Sequence, residues 1–122
     1  MQPLEIFSEG CFFYLYLWYS IGMTREQIQK VVVEAMQGDP NKDYIRSISL
    51  FGSFLHGDYT SDSDIDLLFE MGKTMSMFRI FETQERLQNK LGRIVDFIEK
   101  ESLDKYIKDD VLAEAKIIYE NR

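Results

Sequence analysis

From Thr24 onward the chain moves between two hydrophobic periods. Ile28, Val31, Val32 and Ala35 fall at the three-and-four spacing of one helix face. Thr24-Arg25-Glu26-Gln27 provides a capping box ahead of them, and Gly38-Asp39-Pro40 stops the run. Ile45 to Phe51 alternates instead, with Ile48 and Leu50 on one face and Ser47 and Ser49 on the other, which predicts a strand broken by Gly52-Ser53. After a polar stretch rich in Asp, Ser and Thr, Asp64 to Phe69 predicts a second strand. Met77, Ile80, Phe81, Gln84, Leu87 and Leu91 mark a helix whose apolar stripe Gln84 interrupts, closed by Gly92. Arg93 to Glu99 predicts a short third strand around Asp96. Leu103, Ile107, Val111, Ala115 and Ile118 predict a final helix, with Ser102 as its N-cap and Asp104 in its first turn. The order α-β-β-α-β-α over residues 23–122 defines an α+β domain, a small mixed sheet flanked by helices.

Residues 1–22 stand apart. Their only charges are Glu5 and Glu9, and seven aromatic residues gather there, including the only Trp. The apolar run from Cys11 to Tyr19 falls well short of the ~20 residues of a membrane helix. No positive charge precedes it and no small-residue cleavage site follows, so it does not read as a signal peptide. Two readings stay open: an aromatic element that docks on the domain or a partner, and an extension that the domain does not need. Cys11 itself reads as packing material rather than a reactive thiol.

Composition narrows the function classes. At 122 residues and 45% hydrophobic, the chain has the matter for one core. One cysteine and one histidine exclude a disulfide framework and a zinc cage. A net charge of −7 opposes a surface that grips nucleic-acid backbone, and stable nucleic-acid binding is not expected. The balance suits a cytoplasmic protein with a basic or metal-bridged partner and no membrane attachment.

The segment from Gly52 to Glu70 concentrates the chemistry. On a strand, Asp64 and Asp66 project from the same face, and two such carboxylates repel one another. A hard divalent cation such as Mg²⁺ relieves that repulsion and accepts phosphate oxygens as further ligands. Gly52 allows the backbone to approach a phosphate, and Ser53 adds a hydroxyl donor. Gly57 keeps the following turn open, while Asp58 and Asp62 belong to the polar loop. Asp96, among Ile94, Val95, Phe97 and Ile98, is a costly charge for a strand. If its strand lies beside the second one, it joins Asp64 and Asp66 in a metal site, or takes the proton of an attacking hydroxyl. A structural pairing of Asp96 with Arg93 or another base is the competing reading. Met71, Met75 and Met77 read as packing material, and His56 as a loop residue without an ordering partner.

Gly52-Ser53, ten residues, then Asp64-Ile65-Asp66, with Asp96 on a later strand, resembles the G-S-x₁₀-D-x-D pattern of the DNA polymerase β-like nucleotidyltransferases. The likeness spans residues 23–122 and is closest to the minimal nucleotidyltransferases (MNT), encoded beside HEPN-domain proteins. It implies the polymerase β-like fold, two Mg²⁺ ions on Asp64, Asp66 and Asp96, and a triphosphate held at Gly52 and Ser53. It further implies transfer of AMP from ATP to a tyrosine of a cognate HEPN toxin, with release of pyrophosphate, so that the chain acts as an antitoxin. One feature departs from the pattern. Relatives commonly read G-S-R-A-R-G at the turn, whereas this chain reads Gly52-Ser53-Phe54-Leu55-His56-Gly57, and an imidazole is a weaker phosphate partner than an arginine fork. Arg46, Lys73, Lys105 and Lys108 are the candidate compensating cations. The alternative function is an antitoxin of weak or absent transferase activity that occludes its toxin. The short domain also leaves little room for an acceptor-binding module, so a partner or an oligomer, homomeric or heteromeric, is expected to supply that surface.

Overall fold

Thr24 opens the first helix as its spacing predicts. Its hydroxyl accepts from the Gln27 amide at 3.2 Å, and its own N–H donates to the Gln27 side chain at 2.9 Å. A computed structural model describes residues 24–56 and 63–121. Residues 1–22 with Cys11, and the loop residues Gly57, Asp58 and Asp62, lie outside the described residues. Helix α1 covers Arg25–Gln37 and buries Ile28, Val32, Ala35 and Met36. Strand β1 is Ile45–Phe51, followed by a single helical turn, α2, at Ser53–His56. Then come β2 (Ile65–Met71), α3 (Met77–Leu91), β3 (Val95–Glu99), α4 (Lys105–Glu114) and β4 (Lys116–Glu120). Among the described residues no helix is long and apolar enough to cross a membrane.

The sheet runs β3-β2-β1-β4, antiparallel except for the β2–β3 pair, so it is mixed as expected. Period-two alternation gives it two different faces. One carries Ile48, Leu50, Ile65, Leu67, Phe69, Val95 and Phe97 into the core beneath α1 and α3, where Phe69 and Phe97 stack at 4.2 Å. The other carries Asp66 and Leu68 of β2 beside Asp96 and Ile98 of β3. The core face builds the fold, and the opposite face carries the two aspartates.

Three expectations need correction. The last helix does not run to Ile118: α4 ends at Glu114, Ala115 is extended, and residues 116–120 form β4 against the outer edge of β1. The β-branched pair Ile117-Ile118 with Tyr119 suits a strand as well as a helix, and the free edge of β1 decides in favour of pairing. Ser102 lies in a 3₁₀ turn, and the N-cap is Asp104, whose carboxylate accepts from the Tyr106 amide at 2.8 Å. On α3, Met77 and Phe81 are exposed, while Thr83, Leu87 and Leu91 are buried. The buried stripe is turned by one position because the Thr83 hydroxyl accepts from the Asn41 side chain at 3.0 Å.

Candidate active site

β1 delivers the chain to Gly52, whose φ of +81° lies in the left-handed region that glycine alone enters without strain. A Cβ at this position would overlap the carboxylate oxygen of Asp66. The backbone at the turn and the Asp66 carboxylate are thus packed against each other, with Asp66 opposite Phe51 in the β1–β2 ladder. The α2 turn follows at once, and its Leu55 N–H donates to the Gly52 carbonyl at 3.0 Å.

On its other side Asp66 stands in register with Asp96 of β3, and the two side chains share a hydrogen bond. Partial burial, that hydrogen bond, and the charges of Asp96 and Asp64 together push the Asp66 carboxyl up from 3.8 to about 6. Asp64, just before β2, acts on the pair through its charge. Among the described residues, no three His, Cys, Asp or Glu side chains are gathered tightly enough to cage a metal. The donor set is therefore two touching carboxylates with a third nearby. That composition suits Mg²⁺, which needs only one or two protein carboxylates when phosphate oxygens and water complete its octahedron. The like-charge conflict at Asp66 is what such a cation would relieve.

Other predicted residues separate from this centre. Arg93 is not the partner of Asp96: its guanidinium lies 5.3 Å from the centre of the Phe54 ring and donates to the Ser63 carbonyl at 3.3 Å. It joins α2 to the segment entering β2, a positioning role that sequence reasoning missed because both partners are distant in the chain. Arg46 and Lys73 lie towards the end of the sheet opposite Asp66, since Ile45 pairs with Met71. Lys73 sits over Tyr44, Lys105 over Tyr106, and Lys108 is paired with Glu101 at 2.6 Å. His56 lies in α2 rather than a loop, and the backbone of Ser53 begins that turn.

Gln84, the polar exception on α3, has a role too. β3 is an edge strand, and its Val95 carbonyl and N–H are met by Gln84 Nε2 at 3.0 Å and Gln88 Oε1 at 3.1 Å. These amides fix the residue immediately before Asp96. A second buried device, Asp39, receives Arg86 through two bonds of 2.8 and 3.0 Å and holds the end of α1 on α3.

Comparison with known proteins bears on this arrangement. The family described as "Polymerase beta, Nucleotidyltransferase" matches residues 36–122, which include every candidate site residue. Protein adenylyltransferase MntA of Thermococcus cleftensis is 32% identical over 92 residues, covering 75% of this chain and 93% of that protein. A toxin–antitoxin complex solved with AMP-PNP contains a chain of similar fold, with a TM-score of 0.63 at 21% identity and coverage of 77% and 74%. The complex of tri-AMPylated Shewanella oneidensis HEPN toxin with MNT antitoxin gives 0.58 at 18% identity, covering 79% and 72%. The chain belongs to the polymerase β nucleotidyltransferase family. MntA is its relative within that family, and the solved structures share its α+β fold.

Proposed function

We propose that this nucleotidyltransferase is a Mg²⁺-dependent protein adenylyltransferase, with ATP as donor and a tyrosine hydroxyl of a cognate HEPN-domain toxin as acceptor. The observation that carries the reading is Asp66, in register with Asp96 and pressed against the Gly52 turn. The relatives support the donor and the partner: one is named a protein adenylyltransferase, and similar folds occur in toxin–antitoxin complexes, one of them with AMP-PNP. In the reaction, the acceptor oxygen bonds to the α-phosphorus and the bond to the β-phosphate bridging oxygen breaks, releasing pyrophosphate. Asp64, Asp66 and Asp96 would hold the metal, and Gly52 and Ser53 the triphosphate. When bound, Mg²⁺ supplies charge neutralisation on the phosphate oxygens and a lowered pKa for the acceptor hydroxyl. Asp96 would accept the acceptor's proton. Residues 23–122 form the transferase unit, residues 1–22 an extension to it, and the reaction belongs to the cytoplasm.

A second reading rests on the turn. Phe54 is buried where relatives often carry arginine, and the candidate compensating cations lie elsewhere or are engaged. A weak transferase that neutralises its toxin by occlusion would look like this. Incubation with the co-expressed toxin, labelled ATP and Mg²⁺ separates the two. Label on the toxin, lost in Asp64→Ala/Asp66→Ala, is the expected result. An unlabelled toxin that the double variant still neutralises would overturn the enzymatic reading in favour of occlusion.

A further inference from the structure

The face of the sheet that carries Asp66 and Asp96 does not end at them. Along β2 the same face continues to Leu68 and Glu70, and on β1 it shows Ser49 and Ser47, their register partners. Helix α4 crosses above this region, but none of its residues is buried. Between helix and sheet lies a cleft of about 240 Å³. Its floor is Ser47 and Ser49, its walls are Leu68, Leu112 and Ile117, and Glu70 and Lys100 stand at its sides.

The two serines are the informative residues. Ser47 is 9% exposed and Ser49 8%, and neither hydroxyl has a hydrogen-bond partner among the described residues. Buried hydroxyls are normally paired, and a strand would bury valine there at lower cost. Two open hydroxyls on one floor select a ligand that offers both acceptors and donors along its edge. The apolar walls select one that is flat and unsaturated. Glu70 and Lys100 flank the cleft with opposite signs and form no ion pair with each other, so neither a net anion nor a net cation is favoured inside. The volume holds one ring system rather than a whole cofactor.

We infer that this cleft is the nucleobase subsite of the donor nucleotide. The inference rests on the transferase reading above for its ligand. Position agrees with it. Leu68 and Ser49 lie two residues, about 7 Å, along the strands from Asp66, so a phosphate at the carboxylates and a base in the cleft are separated by the span of one ribose. A tyrosine ring from an acceptor fits the walls but leaves both serine hydroxyls unpaired, which is why the cleft matches a base better than the acceptor.

Two probes on the full-length protein test this: adenosine, which reads the cleft alone, and tripolyphosphate with Mg²⁺, which reads the carboxylate end alone. Adenosine is expected to bind and to shift the amide resonances of Ser47, Ser49 and Ala115. Ser49→Val and Ser47→Val should each weaken adenosine by about fivefold to tenfold, the worth of one hydrogen bond, without moving the tripolyphosphate affinity. Both variants should match or exceed the wild-type Tm, because the hydroxyls they remove are buried without a partner among the described residues. Ala115→Phe, at the half-buried lip, should block adenosine altogether by filling the cleft. Tripolyphosphate binding without adenosine binding, or adenosine binding that none of the three variants alters, would overturn the subsite and leave the transferase reading standing; a cleft that holds only water gives the first of these results. Adenosine binding that responds to the variants, with no label ever reaching the toxin, would keep the cleft and overturn the transferase.

Discussion

Gly52 meets two demands at one atom: a left-handed backbone, and clearance for the Asp66 carboxylate against its Cα. Alanine fails both. Gly52→Ala should cost about 2 kcal/mol in denaturant unfolding and reduce transfer about a hundredfold, because it displaces the carboxylate proposed to hold the metal. Asp66 itself should show a conflict between stability and function. In metal-free protein its carboxyl holds a proton up to about pH 6, whereas in the unfolded chain it releases one near 3.8. Stability therefore falls as pH rises through that window and levels off above it. Asp66→Asn should remove the slope and raise Tm at pH 7 by about 2 °C, a modest gain because the group is only partly buried, while abolishing transfer. A flat Tm difference between pH 4 and 7 would contradict the raised Asp66 carboxyl. Asp66 was legible beforehand because period-two alternation sets it on the face opposite Ile65 and Leu67, whereas Asp64 lies just ahead of β2, outside that alternation. Asp96 became their neighbour only through β2–β3 pairing, a conditional inference. Arg93 and the Asp39–Arg86 pair were not legible, since side chains that bind partners 30 and 47 residues away leave no local pattern.

At the scale of elements, β3 shows how the edge strand beside the candidate site is held. Its outer backbone groups at Val95 would be open to water or to another chain, and α3 covers them with two glutamines of opposite hydrogen-bonding sense. Gln84 donates to a carbonyl; Gln88 accepts from an N–H. Replacement by glutamate therefore separates them. Gln88→Glu retains an acceptor and should leave unfolding within about 0.5 kcal/mol of wild type. Gln84→Glu sets a carboxylate against a carbonyl and should lose about 1–2 kcal/mol together with activity, through the neighbouring Asp96. Equal effects from the two substitutions, measured by urea unfolding and by toxin labelling, would rule out this pairing. Gln84 interrupted a clean apolar stripe in the sequence, and its polarity could have been read as a partner for a strand edge. β4 could not be read that way. Its five residues satisfy helix and strand patterns alike, and the choice depended on a vacant edge of β1 that no local window shows.

Over the whole molecule the two sheet faces divide the work: one is a closed apolar core, the other gathers carboxylates in a chain that already carries −7. Any salt should relieve some general self-repulsion in such a protein. Site-bound Mg²⁺ with nucleotide should do more, since a ligand that binds only the folded state stabilises it by mass action, about 2.7 kcal/mol at a hundredfold excess over Kd. For a domain of this size that corresponds to a Tm rise of about 10 °C with Mg²⁺ and a non-hydrolysable ATP analogue. The same analogue with chelator, and NaCl matched to the ionic strength, should each give less than about a third of the shift. Asp66→Ala/Asp96→Ala should respond to Mg²⁺ and analogue no more than wild type responds to NaCl. If instead NaCl reproduced the full shift, or the double variant retained it, the stabilisation would come from diffuse screening of an acidic surface, and the carboxylate pair would have no claim to the metal.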